Sequence, residues 1–224
     1  MMTVPIVDSI FTHTGAKSIG VSDEHPTYFQ WKKVDGGPAI YTDFCMKDAI
    51  GQPGPKIGWL IEAPGFRQNH FDFAVEHEDE FDFILTSIKE YVVRNPYKWL
   101  WYPRGGSLVP LEDWHDWPKI GVTSMLASFK DEATGHRLRH EIYEKYGFLM
   151  DIHGSITGGR TATKQTSIAP YMFSVVVETE KRDGYFTDHL IDCIALGTMP
   201  VYWGASDFWK YFSELGAICI KDLS

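Results

Sequence analysis

Residues 173–205 read FSVVVETEKRDGYFTDHLIDCIALGTMPVYWGA. Phe173 to Val177 is apolar and β-branched, as a buried strand requires, and Glu178 stands at its carboxyl end. Gly184-Tyr185-Phe186 makes a turn, and Thr187 has the side chain of a helix N-cap. Leu190, Ile191, Ile194 and Ala195 fall on one helical face, which predicts a helix over 187–196 with that stripe buried. Met199 to Trp203 reads as the next strand. Strand, helix and strand of these lengths predict a parallel pair joined by a crossover helix.

The same alternation extends in both directions. Val122–Ser128, Phe148–Ile152 and Met172–Val177 read as strands, and His136–Tyr146 as a helix stopped by Gly147. Phe208–Phe212 reads as a helix and Ala217–Ile220 as a last strand. Toward the N-terminus, Ile57–Ile61, Phe81–Leu85 and Lys98–Tyr102 read as strands and Ile88–Val93 as a short helix. Residues 1–55 are irregular, with only weak strand signals such as Ala39-Ile40-Tyr41. The stretch PRGGSLVPLEDWHDWP, residues 103–118, suits a connection between lobes. The expected organisation is therefore an α/β chain with parallel sheets and lobes at 1–118 and 119–224. In such sheets ligands bind beyond the carboxyl ends of strands, which directs attention to the loops after Ser128 and Val177.

With 224 residues, 44% hydrophobic and 23% charged, the chain can bury real cores. Eight Trp suit either stacking surfaces or the core itself. A net charge of −9 argues against a nucleic-acid partner but leaves room for one compact basic pocket around a single diphosphate. Cys45, Cys193 and Cys219 are odd in number and unpatterned, so neither a disulfide framework nor a cysteine zinc site is expected. The first twenty residues lack a signal-peptide pattern, and no apolar run approaches the ~20 residues of a membrane span. A cytoplasmic location is expected on those grounds.

Several motifs are decoys. Gly154 to Thr161, GSITGGRT, has phosphate-loop glycine spacing, but Arg160 replaces the Lys and no amphipathic helix follows. His136, His140 and Glu144 share a helical face, but Arg137 and Arg139 flank them, so a solvated face is expected rather than a metal site. The run His77-Glu78-Asp79-Glu80 reads as a solvated loop, and no metal is expected. The start of the 187–196 helix offers free N–H groups and a partial positive charge to an anion. Asp188 in its first turn equally complements the helix dipole, so the residues alone leave a ligand pocket and a capped core helix both open.

The same 173–205 segment resembles the donor-binding signature of the α-1,3/4-fucosyltransferases, glycosyltransferase family ten. SMLASFKDEATGHRLRHEIYEKYG (124–147) and FLMDIHG (148–154) resemble the family's preceding units, and GWLIEAPGF (58–66) with FDFILTS (81–87) its acceptor-lobe motifs. The resemblance covers about residues 57–224 and leaves the first 55 unmatched. It implies a GT-B-like fold of two Rossmann-like lobes, the N-terminal one shortened. It further implies inverting transfer of fucose, or a related sugar, from a GDP-sugar to a glycan hydroxyl. GDP-fucose would be a donor substrate, with no tightly bound cofactor. Glu62 resembles the family's base, and Arg139 the residue facing the leaving diphosphate. Glu178 and Asp188 would accept hydrogen bonds from donor hydroxyls, with Tyr185, Thr187 and His189 lining the donor pocket. Asp188-His189 stands where the family has Glu-Lys, and Thr179 where it has Asn. The competing expectation is a catalytically degenerate relative that binds a nucleotide sugar or glycan without turnover.

Overall fold

A computed structural model describes residues 2–9, 29–104, 106–159 and 163–221. The chain divides into two compact units, Met1–Arg104 and Gly105–Ser224.

The first unit is built on six parallel strands: β1 (Met2–Val7), β2 (Phe29–Lys33), β3 (Ala39–Thr42), β4 (Lys56–Leu60), β5 (Phe83–Thr86) and β6 (Trp99–Trp101). Their order is β2-β1-β3-β4-β5-β6. Helix α1 (Pro64–Glu76) follows β4 and α2 (Lys89–Arg94) follows β5. Ile6, Trp31, Trp59 and Ile61 form one buried cluster on this sheet. The expectation of an irregular 1–55 is corrected here, since β1, β2 and β3 supply half of the sheet. Pro5 lies inside β1, which is paired on both sides, and a central strand ordinarily excludes proline. That conflict hides β1 from a pattern search. The acidic run is corrected in part, for Glu78 and Glu80. Glu78 accepts from Trp99 Nε1 (2.8 Å) and Arg94 Nη1 (2.6 Å), and Glu80 pairs with Lys56 (2.9 Å). The hydrogen bond from Trp99, with help from Arg94 and Asn95, holds the Glu78 carboxyl below the usual range. Glu78 and Glu80 tie β4, α2 and β6 together from a partly exposed turn, while Asp79 between them is exposed.

The second unit has five parallel strands: β7 (Gly121–Leu126), β8 (Asp151–His153), β9 (Tyr171–Val177), β10 (Met199–Trp203) and β11 (Ile218–Cys219), in the order β11-β10-β9-β7-β8. Helix α3 (Thr134–Tyr146) follows β7, the single turn α4 (Lys164–Ser167) precedes β9, and α5 (Asp188–Ala195) joins β9 to β10. Leu190, Cys193, Leu196, Val176, Tyr202 and Phe208 pack in one core cluster, while Met125, Ala127, Ile142 and Val177 pack in another with Leu138 and Trp203. Residues 147–149 form a 3-10 turn where a strand was expected, because Phe148 and Leu149 stay exposed. Arg160 and Thr161 of the phosphate-loop decoy lie outside the described residues.

The unit boundary falls earlier than the 118/119 division read from sequence. Val109 is buried in the second unit's core with Trp117 packed against it, and Ser107 Oγ donates to Asp192 of α5 at 2.7 Å. The Gly/Pro/Trp-rich stretch is thus part of the second unit's packing.

Both sheets share one topology. Numbered within each unit, the strand order begins 2-1-3-4-5, which reverses direction between its first and third strands. A crevice opens at such a reversal, beyond the strands' carboxyl ends. In the second unit that point lies past β7 and β9; in the first it lies past β1 and β3.

Candidate active site

In the second unit, the reversal point is occupied by the residues singled out from sequence. Glu178 is fully buried, and its carboxylate grips the helix that follows: Thr187 N donates to Oε1 (2.9 Å) and Thr187 Oγ1 to Oε2 (2.7 Å). Thr187 in turn caps α5 by accepting from His189 N at 3.2 Å. An N-cap normally satisfies one orphan N–H; here it is itself held by a buried carboxylate. Gly184, at φ 73°, turns the intervening loop, and its N–H is held by Asp207 Oδ1 at 2.6 Å.

Helix α3 closes onto the same point. Gly135 N donates to Thr179 O at 2.8 Å, and a Cβ on Gly135 would collide with the Glu178 carbonyl oxygen. Only glycine allows this approach. One turn on, Arg139 is buried and its Nε and Nη2 both donate to Val177 O, the former at 2.9 Å. Burial pulls the Arg139 pKa below its ordinary value, opposed by Glu178, Tyr185 and Asp188. Arg139, Glu178, Tyr185, Thr187 and Asp188 are therefore brought together, with Tyr185 also fully buried. His189 contributes its main-chain N–H to the cap, and its side chain is half-buried.

Three residues here escaped the sequence reading. Lys164 of α4 reaches Asp188 Oδ2 (3.2 Å) and Asp192 Oδ2 (2.9 Å). Burial opposes the Lys164 charge, but the two carboxylates outweigh it and raise its pKa. Asp192 Oδ1 also accepts from Ser107 Oγ and from Leu108 N at 2.8 Å. A cation thus stands beside the start of α5 although position 189 is histidine. No local pattern announces Lys164, which is drawn in from a separate turn 24 residues upstream of Asp188. Asp207 is the third, holding the Gly184 turn from beyond β10.

His136 is buried rather than solvated, which corrects one member of the expected solvated face. Its Nδ1 accepts from Ala133 N (3.4 Å) and closes the N-terminus of α3. Burial, aided by the Arg139 charge, lowers its pKa to about 4. Among the described residues, no group of three or more His, Cys, Asp or Glu could hold a metal ion.

Beside α3, a cavity of about 340 Å³ is lined by Thr134, Arg137, Leu138, Glu141, Lys181, Trp203 and Lys221. It gathers three cations and one tryptophan near the carboxyl ends of β9, β10 and β11.

In the first unit, Glu62 follows β4 and is half-buried. Its Oε1 lies 3.4 Å from Arg104 Nη2, beyond β6. Asp43, at the end of β3, accepts from both Ile61 N (2.9 Å) and Glu62 N (3.2 Å).

The chain superposes over 99% of its length on a crystal structure of an α1,3-fucosyltransferase, covering 75% of that chain with a TM-score of 0.57 at 14% identity. A structure of an α1,3-fucosyltransferase with GDP matches equally, at TM-score 0.57 and 14% identity over 100% of this chain and 74% of that one. One with GDP-fucose matches at TM-score 0.53 and 15% identity over 87% and 65%. The fold is that of the α1,3-fucosyltransferases. In sequence, the α-(1,3)-fucosyltransferase FucT of Helicobacter pylori is 24% identical over 101 residues, 43% of this chain. The chain spans about a fifth of that relative's length, 21%. No family model matches. Within this fucosyltransferase fold, no helix among the described residues is long and apolar enough to cross a membrane.

Proposed function

We propose that the chain is an inverting glycosyltransferase that moves fucose, or a closely related sugar, from a GDP-sugar to a glycan hydroxyl. The observation that carries this reading is the convergence of Arg139, Glu178, Tyr185, Thr187 and Asp188 at the strand-order reversal of the second unit. The likeness to structures holding GDP and GDP-fucose supports the choice of donor.

In this reading Glu62 takes the proton of the acceptor hydroxyl as its oxygen attacks the anomeric carbon. The bond from that carbon to the phosphate oxygen breaks, its electron pair leaves with GDP, and the configuration inverts. The charge gathered on the diphosphate needs donors already in place. Arg139 is tied to Val177 O, and both Glu178 oxygens are engaged by Thr187, so these residues shape the donor site rather than reach far into it. The accessible cations Arg137, Lys181 and Lys221 then meet the diphosphate, with Trp203 beside them.

The same internal satisfaction of Glu178 and Arg139 favours a second reading, a relative that binds donor without turnover. GDP calorimetry and Glu62→Gln separate the outcomes. Donor transfer in the wild type, lost in Glu62→Gln with GDP affinity retained, supports the enzyme. GDP binding with no turnover by the wild type supports the binder. Absence of GDP binding at millimolar concentration sinks both.

A further inference from the structure

Strand β3 ends at Thr42, and the chain leaves the sheet at Asp43 with φ 39°, the single positive φ outside glycine among the described residues. Such a conformation is disfavoured, though aspartate tolerates it better than most, and it persists where the surroundings fix it. Here the consequence is visible in the hydrogen bonds. β4 runs parallel to β3 with Thr42 opposite Trp59 and ends at Leu60, and the chain then leads on to Ile61 and Glu62. Where β3 has turned away, Asp43 Oδ1 takes up the N–H groups of both Ile61 and Glu62. Asp43 is 3% exposed, and buried His70 of α1 stands with Nδ1 3.9 Å from the same oxygen. Asp43 Oδ2 has no hydrogen-bond partner among the described residues.

Two consecutive N–H groups held by one oxygen fix the main chain on entry to Glu62, and with it the direction in which the side chain leaves. A base works only within hydrogen-bond reach of its proton, so a glutamate on an unpinned strand end would be held too loosely. The location is the reversal point of the first sheet, past β1 and β3. We propose that Asp43 is the positioning residue of Glu62, acting through the Glu62 main chain and without touching substrate. This role rests on the reading of Glu62 as the base.

The alternative is that Asp43 only ends β3 and starts the 3-10 segment Asp43–Ala49. Two substitutions in the full chain separate the two. Asp43→Asn keeps an acceptor oxygen and tolerates positive φ; Asp43→Gly tolerates the φ but has no acceptor. Transfer from GDP-fucose to lactose, used as a probe acceptor, is followed by GDP release. Because a displacement near 1 Å at the chemistry costs on the order of 100-fold, Asp43→Gly should lose about that much kcat with KM changed less than about twofold. Asp43→Asn should recover kcat to within about threefold of the wild type. Wild-type kcat in Asp43→Gly, or an equal loss in Asp43→Asn, overturns the proposal. Should Asp43→Gly not fold, Asp43→Ser serves, since its shorter hydroxyl cannot hold both N–H groups; undiminished kcat there is equally fatal. Glu62→Gln is assayed alongside. If it keeps its activity, the base assignment fails and this role with it. If it is inactive while Asp43→Gly is not, the positioning role alone fails.

Discussion

His136 shows how one side chain couples the site to stability. Its burial inside the α3 cap favours the neutral ring and brings its pKa from 6.5 to about 4. The unfolded chain takes up a proton near its ordinary value, whereas the folded chain resists until much lower pH. Stability from this group is therefore complete above about pH 6.5, falls as pH drops toward 4, and changes no further below that. At pH 5 the loss should be on the order of 2 kcal/mol. Urea unfolding at pH 7.5 and pH 5 should show it, and His136→Asn, which keeps an acceptor for Ala133 N, should reduce the difference by that amount. Equal pH losses in both proteins would acquit His136. At this scale, Glu178 and Thr187 were legible because strand end and N-cap lie nine residues apart in one motif. Asp43 and Lys164 were not, because each acts on a segment far along the chain.

Among the elements, β9, α5 and β10 could be read directly from a valine run and a threonine cap, but the buried face of α5 is Leu190, Asp192, Cys193 and Ala195, and Ile194 of the expected stripe is exposed. Helix α1 could not. Its N-cap is Ala63, which has no capping side chain, and Arg67 breaks the helical geometry at φ −141° and ψ 53°. Its buried faces, Phe71 and Ala74, are recognised only once β4 and the 3-10 segment lie beneath them. The start of α5 depends on a contact of the same non-local kind, the ion pairs of Lys164 to Asp188 and Asp192. Removing one partner of a buried pair leaves an uncompensated charge, so Lys164→Met should cost about 3 kcal/mol in denaturant unfolding. Adding Asp192→Asn to that variant should restore part of the loss, because the buried carboxylate at 0% exposure is where the penalty arises. A single-variant cost below about 1 kcal/mol, as at an exposed pair, would show that these ions do not hold α5.

Across the whole molecule, each unit has its own parallel sheet with the same reversal and its own buried clusters. The proposed roles divide accordingly: the base and Asp43 belong to the first unit, the donor-shaping residues and the cation-lined cavity to the second. Net charge sharpens the division. At −9, the chain as a whole repels a diphosphate, so affinity has to come from a local concentration of cations. Arg137, Lys181 and Lys221 supply one in the second unit. GDP should therefore protect that unit selectively. At GDP equal to 100 times Kd, a state that binds is stabilised by about 2.7 kcal/mol relative to one that does not. Hydrogen exchange read along the chain should show slowed amides at the start of α3, the 178–187 loop and the first turn of α5, with Ile61 and Glu62 unchanged. Lys181→Ala with Lys221→Ala should weaken GDP binding and flatten its dependence on salt, since fewer charges then meet the phosphates. Protection confined to residues before Arg104, or an undiminished salt dependence in the double variant, would move the donor out of this cavity.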